Sequence, residues 1–232
     1  MIILTALGFP FITLVFFSLL IQEMKSAITA TSWEDGKKKK VGNRMIIGLV
    51  VWAIIITIAS SSGFSEKFEL FPINIVPFVL VPLITVLILL LHKDTHAVLS
   101  KMNLKVLTQL QVFRVFVEIV LWLLFVQNLL PEQMTFEGLN FDILAGITSL
   151  LAARFFLNSR GWMIAWNIMG LGLLINIVSI AILSMPTSLR AFENEPASTI
   201  VTQFPFIFLP TFLVPLAYIL HFLSLKKLLM KS

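Results

Sequence analysis

One apolar segment of the chain carries polar side chains at helical spacing. Gln111, Arg114 and Glu118 are separated by three and four residues, and Trp122 continues the same stripe. Residues at these intervals share one face of an α-helix. Charged side chains within a membrane span are costly, so they normally face a bundle interior, a partner or water. The spacing allows a structural ion pair between Arg114 and Glu118. The alternative makes Glu118 a relay for protons or cations, or a substrate contact, tuned by Arg114.

Three asparagines add neutral polar groups to other apolar segments. Asn74 lies in an earlier segment, and Asn167 and Asn176 lie in a later one. Such side chains can line a cavity, and they can equally hydrogen-bond between helices in a bilayer. The sequence leaves both roles open for each of them.

A polar stretch, PEQMTFEGLNFD, precedes the fifth apolar segment and contains Glu137, Asn140 and Asp142. Acidic residues near a helix start interact favourably with the helix dipole, which predicts a capping role. The alternative is an outward-facing vestibule for a cation or a polar ligand.

Several kinds of chemistry lack the residues they need. The chain has no Cys, so a thiol-ligated metal site is impossible. His92 and His96 have a spacing that can present two imidazoles to one metal, but we interpret them as solvated boundary residues. The sequence has neither a GxSxG nor a P-loop motif. We therefore expect no enzyme, no metal and no cofactor.

The composition is that of an integral membrane protein. Of 232 residues, 58% are hydrophobic and only 12% are charged, whereas soluble domains are nearer a quarter charged. A span needs about 20 mostly apolar residues. We predict an all-α polytopic protein with seven transmembrane helices, at residues 2–21, 45–62, 71–91, 108–126, 141–157, 162–185 and 204–225.

Basic residues indicate the orientation, since they gather in cytoplasmic loops. With the N-terminus outside and the C-terminus inside, most of the 17 basic residues fall on the cytoplasmic side. They lie between apolar runs, so we expect a lipid bilayer as partner and no nucleic acid. We interpret the KKKK run at 37–40 as an orientation signal in a solvated loop. The cytoplasmic set is Lys25, Lys37, Lys38, Lys39, Lys40, Arg44, Lys93, Lys101, Lys105, Arg154, Arg160, Lys226, Lys227 and Lys231.

Two apolar segments share a proline pattern. FPINIVPFVLVPL at 71–83 and FPFIFLPTFLVPL at 204–216 match at a constant offset of 133, the difference between 204 and 71. Proline disrupts helix interiors, so Pro77, Pro82, Pro210 and Pro215 predict bends at equivalent places. Weaker matches between spans two and six, and between one and five, predict a parallel repeat. The units are a three-helix repeat at 1–95, a linker helix at 96–133 and a second three-helix repeat at 134–232.

Seven spans in a parallel arrangement of three, one and three resemble the architecture of the SWEET and PQ-loop transporters. The chain contains no Pro-Gln pair, so the resemblance implies a fold and transfers no substrate residues. MTFEGLNFDILAG at 134–146, with QxxRxxxE before it, resembles a group of uncharacterised bacterial seven-span membrane proteins. That resemblance implies the bacterial inner membrane and supplies no activity.

We therefore expect a transporter or permease for a small molecule or ion, such as a small polar substrate or a cation. Its path would lie at the interface of the two repeats near Arg114 and Glu118, because broken helices commonly surround transport sites. The alternative is a non-catalytic seven-helix sensor or membrane assembly protein, in which Arg114 and Glu118 are structural. The oligomeric state stays open.

Overall fold

The protein is almost entirely helical. The computed structural model describes residues 2–230, with side chains from residue 5 onward, so Lys231 lies outside the described residues. Within this range the secondary structure consists of helices and turns, without strands. The α-helices are α1 (Ile2–Thr29), α2 (Asp35–Ser61), α3 (Val76–Leu90), α4 (Lys93–Lys101), α5 (Leu104–Leu110), α6 (Phe113–Val126), α7 (Ile143–Phe155), α8 (Arg160–Leu183) and α9 (Val214–Leu229).

Five helical segments are long and apolar enough to cross a membrane. They are Thr5–Thr29, Asp35–Ser61, Leu104–Val126, Arg160–Leu183 and Leu209–Leu229. Counting α3 and α4 as one span, despite the 89° bend between them, gives a sixth. The expected all-α, membrane-compatible character is confirmed.

The fifth predicted span differs most from expectation. The helix α7 has 13 residues, which at 1.5 Å per residue cover about 20 Å, less than a hydrocarbon core of about 30 Å. Its N-terminal end is shortened because Asp142 is drawn into the protein interior. At its C-terminal end the helix stops at Phe155.

The second span begins earlier than its hydropathy suggests. The helix α2 starts at Asp35, so the basic run at 37–40 lies on its first turns. The interpretation of this run as a loop was therefore wrong. Asp35 lies in the first helical turn, where an acid favours the dipole, and Lys37 forms a salt bridge of 2.7 Å with Asp94.

The four prolines that predict bends occupy different kinds of position. Pro77 lies in the first turn of α3, where its missing N–H has no partner in any case, so the predicted kink at this residue was wrong. Pro82 does lie inside α3. In the last span, Pro210 lies in a π-helical turn at Leu209–Leu213. Pro215 follows that turn, in the first turn of α9. An irregular turn of this kind accommodates a residue that cannot donate a hydrogen bond.

Two helices form the centre of the bundle. The helix α6 packs against α1 and α7, and α9 packs against α3, α5 and α8. By contrast, α2 buries only Ile56 and Ser60, and leaves aliphatic side chains such as Ile58 exposed. Such an apolar outer surface is what a helix facing lipid requires.

Gly146 permits close contact between α7 and α6. A Cβ atom at this position would lie 2.8 Å from both the backbone nitrogen and a methyl group of Val115. Small residues allow helix backbones to approach closely in membrane proteins. The contact holds the short helix against the one that carries Arg114.

We expect Gly146→Ala to lower the thermal unfolding midpoint in detergent by about 5 °C. Overpacking a tight contact costs about 1–3 kcal/mol, at about 2–4 °C per kcal/mol for a chain of this size. Gly48→Ala, in α2, is the matched control because no atom lies within 4 Å of the added Cβ. Its midpoint should stay the same or rise slightly, since Ala favours helix over Gly. Equal midpoints for the two variants would contradict the close packing.

Candidate functional site

The helix carrying the polar stripe is interrupted just before Arg114. Between α5 and α6, the N–H of Arg114 donates to the carbonyl of Gln111 at 3.2 Å. The N–H of Val115 donates to the carbonyl of Val112 at 3.0 Å. Bonds of this i to i+3 type form a tighter turn than the α-helix, and such turns within a helix often mark functional positions.

Arg114 forms a buried ion pair with Asp142. Its Nε donates to Asp142 Oδ2 at 2.6 Å, and its second terminal nitrogen donates to Asp142 Oδ1. The two residues are 1% and 5% exposed. This two-point geometry is the strongest arrangement available to a guanidinium and a carboxylate. The predicted pairing of Arg114 with Glu118 is not the one formed, because the chain beyond α6 brings both oxygens of Asp142 to one edge of the guanidinium.

The remaining donors of Arg114 reach two further helices. One terminal nitrogen lies 3.1 Å from His221 Nε2 on α9, and the other donates to the carbonyl of Gly170 on α8 at 3.2 Å. A guanidinium only donates, so Nε2 of His221 must accept. The proton of the neutral imidazole is then on Nδ1, which donates to Asn167 Oδ1 at 2.8 Å.

Gly170 leaves the space that His221 occupies. A Cβ atom there would lie 2.4 Å from both Cε1 and Nε2 of the imidazole. Gly170 therefore allows α8 and α9 to pack closely at this point. At Gly172, by contrast, no atom lies within 4 Å of an added Cβ.

Glu118 is held by a different partner. Both of its carboxylate oxygens accept from Asn140 Nδ2, at 2.7 and 2.8 Å. The side chain is 1% exposed. Among residues 2–230, no Lys, Arg or His lies within salt-bridge distance of Glu118. Its charge therefore has no direct ionic partner in the described chain.

The segment between α6 and α7 folds into the bundle instead of forming an open vestibule. Asn140 is fully buried and Asp142 nearly so, while Glu137 stays exposed. The side chain of Asn140 accepts from the N–H of Asp142 at 3.0 Å. The predicted vestibule of Glu137, Asn140 and Asp142 was wrong for the latter two, because they hydrogen-bond to the charged groups of α6. Asp142 does precede α7, but its side chain makes no capping bond.

The other predicted site residues fall into two groups. Asn167 joins the cluster through His221, and Gln111 donates to the carbonyl of Ala217 on α9 at 3.1 Å. The second group lies apart. Trp122 donates to Glu137 at 2.8 Å, Asn176 donates to the carbonyl of Leu139, and Asn74 donates to the carbonyl of Ser65.

A cavity of about 170 Å³ lies beside the charged cluster. Its walls come from α3, α6, α8 and the last span, and they consist mostly of aliphatic side chains with Phe113 and Met134. Arg114, Glu118 and Asp142 are its charged lining residues. Within the described part of the chain, no group of three or more His, Asp or Glu side chains is arranged to hold a metal ion.

The region that contains this site matches a family model. The model is described as a domain of unknown function, DUF8737, and it matches residues 90–229, more than half of the chain. The chain belongs to this family. The DUF8737 region runs from the end of α3 to the end of α9 and contains every charged residue of the cluster. No curated protein and no solved structure matches the chain.

Sequence reasoning missed the central role of His221. It is the single His of the last span and is fully buried. A signal was available in its position, since an isolated polar residue inside an apolar span normally has a partner in the bundle. The sequence does not show which partner, because Arg114 lies 107 positions earlier.

We expect Asp142→Asn to lower the unfolding midpoint in detergent by roughly 10 °C. Removing one partner of a buried ion pair costs about 3–5 kcal/mol, because the other charge remains buried, at about 2–4 °C per kcal/mol. Scanning fluorimetry, which follows the emission of the five native Trp residues, measures the unfolding midpoint of each variant.

The double variant Arg114→Met with Asp142→Asn removes both charges and should recover part of the loss. Glu132→Gln, in the same loop, is the control because Glu132 is exposed. If Asp142→Asn unfolded at the same temperature as this control, the ion pair would have no structural role.

Proposed function

We propose that the protein is an integral membrane transporter for a small molecule or ion, with its path through the cavity beside Arg114 and Glu118. The observation that carries this proposal is a cavity walled by helices from both predicted repeats, with three buried charged side chains in its lining. Charged groups inside a membrane bundle commonly mark substrate or ion pathways. A bundle interface packed solid with apolar side chains would have favoured a structural or sensory role.

Irregular helices around the cavity support the proposal. The lining includes Leu209, Pro210 and Leu213 of the π-helical turn. It also includes Phe113 and Arg114, which directly follow the break between α5 and α6. Discontinuous helices surround the binding sites of many secondary transporters, since backbone freed from regular bonding can respond to a ligand.

The two proline segments support the proposed internal repeat. The helical part of the third span begins at Val76, and that of the last span begins at Leu209. These starts are 133 positions apart, the difference between 209 and 76, which is also the offset of the sequence match. On this proposal α7 serves as a short fifth span, and seven spans are arranged as three, one and three.

The proposed orientation in the bacterial inner membrane, with the N-terminus outside, can be tested with single cysteines. The native chain has no Cys, so labelling has no background. Ser188 and Lys101 are both exposed. Ser188→Cys should react with a membrane-impermeant maleimide in intact bacterial cells, and Lys101→Cys only after permeabilisation. The reverse pattern would overturn the orientation.

Transport itself is tested by measuring the uptake of solutes into proteoliposomes that contain the purified protein. The external solutes are tetraethylammonium, choline, glycine, lactate and glucose, and mass spectrometry measures their uptake. We expect at least one solute to enter faster than in empty liposomes, and Glu118→Gln to reduce that uptake at least about tenfold, because a buried charge in the path is lost. Glu132→Gln, exposed in a loop, should retain it. No uptake of any solute, or unchanged uptake in folded Glu118→Gln, would contradict the proposal.

A further inference from the structure

The charges around the cavity do not balance among themselves. The positive charge of Arg114 is matched by Asp142, which accepts two of its hydrogen bonds. His221 is neutral because its Nε2 accepts from Arg114. Glu118 is thus the carboxylate left without a cation in the described chain, and it is 1% exposed.

An uncompensated buried carboxylate is not stable in its ionised form. Taking such a charge out of water is expensive unless a proton or a cation neutralises it. The amide of Asn140 donates to both oxygens of Glu118, but a neutral donor cannot supply the missing charge. Neutralising Glu118 therefore takes a proton or a bound cation.

The surface of the cavity beside Glu118 is apolar, and the carboxylate oxygens are bound to Asn140 behind it. The cavity of about 170 Å³ has only three charged lining residues, and two of them are paired with each other. An apolar cavity of similar size in a soluble protein binds benzene. Phe113 and Met134 are lining residues. The ring of Phe113 can attract another ring or a cation over its face, and the thioether of Met134 can contact an aromatic ring.

We propose that this cavity binds a small organic cation with an apolar body, whose ammonium group pairs with Glu118. This inference rests on the proposed function, since it names the class of molecule that the transport path takes. The apolar body fills the space between α3, α6 and α8. The carboxylate of Glu118 turns from Asn140 toward the cavity, where the ammonium supplies the charge that the described chain lacks.

Binding exchanges a proton for the ligand. The O–H bond of Glu118 breaks, the proton passes to solvent, and the carboxylate retains the electron pair as the ammonium arrives, so the net charge of the site is unchanged. The charged groups closest to Glu118 are Arg114 on its own helix and Asp142 before α7. His221 and Tyr218 on α9 lie near that pair, and the lining residues of α3 and α8 are uncharged.

Three small aromatic probes of similar size separate the possible causes of binding. Benzylamine is cationic at neutral pH, benzyl alcohol is neutral and benzoate is anionic. Ligand-observed NMR with the purified full chain in detergent measures each affinity. We expect benzylamine to bind most tightly and to release protons into weakly buffered solution. Benzyl alcohol binding as tightly as benzylamine would overturn the inference.

Two variants locate the site. Glu118→Gln should weaken benzylamine binding at least about tenfold, because it removes the charge partner, and should leave benzyl alcohol unaffected. Ala181→Leu fills the cavity without altering its charges and should weaken both probes. Glu137→Gln, an exposed carboxylate, is the control and should bind as the native protein does. Native-like benzylamine binding by folded Glu118→Gln, or by Ala181→Leu, would also overturn the inference.

The outcome for binding is separate from the outcome for transport. If benzylamine bound but no solute were taken up, the cation site would stand and the proposed transport function would be rejected. If other solutes were taken up but benzylamine did not bind, the proposed transport function would stand and the organic-cation site would be rejected.

Discussion

The ion pair between Arg114 and Asp142 is the contact on which the rest of the site depends. A guanidinium buried in an apolar bundle must be neutralised, and its donors must be satisfied in the same place. Asp142 supplies the charge, while the carbonyl of Gly170 and the imidazole of His221 accept from the remaining nitrogens. One side chain on α6 thereby fixes the start of α7 and the relative positions of α8 and α9.

This constraint explains several features that otherwise look unrelated. The loop between α6 and α7 folds inward because Asp142 must reach the guanidinium. Asn140, two residues earlier, is buried by the same fold and donates to Glu118. The helix α7 is short because the chain before it follows this path into the bundle. Gly170 is required on α8 because the imidazole of His221 occupies the place of its side chain.

The same constraint divides the carboxylates between two roles. Asp142 is held as a structural counter-ion, whereas Glu118, one turn further along α6, lies beside the cavity with only the amide of Asn140 bound to its carboxylate. In the mechanism that we propose, the ion pair keeps the shape of the site while Glu118 exchanges its proton for the cation.

The sequence by itself determined the helical class, the membrane-compatible composition and the helix face that holds Arg114 and Glu118, because hydropathy and helical spacing are local properties. It also singled out Asn140 and Asp142, but as an outer vestibule. Only the tertiary structure decided that Asp142 pairs with Arg114 and that His221 completes the cluster. These partners lie 28 and 107 positions from Arg114, and no local periodicity encodes which distant segments a fold brings together. The predicted length of the fifth span was wrong for a related reason. A tertiary contact shortens α7, and hydropathy does not report tertiary contacts.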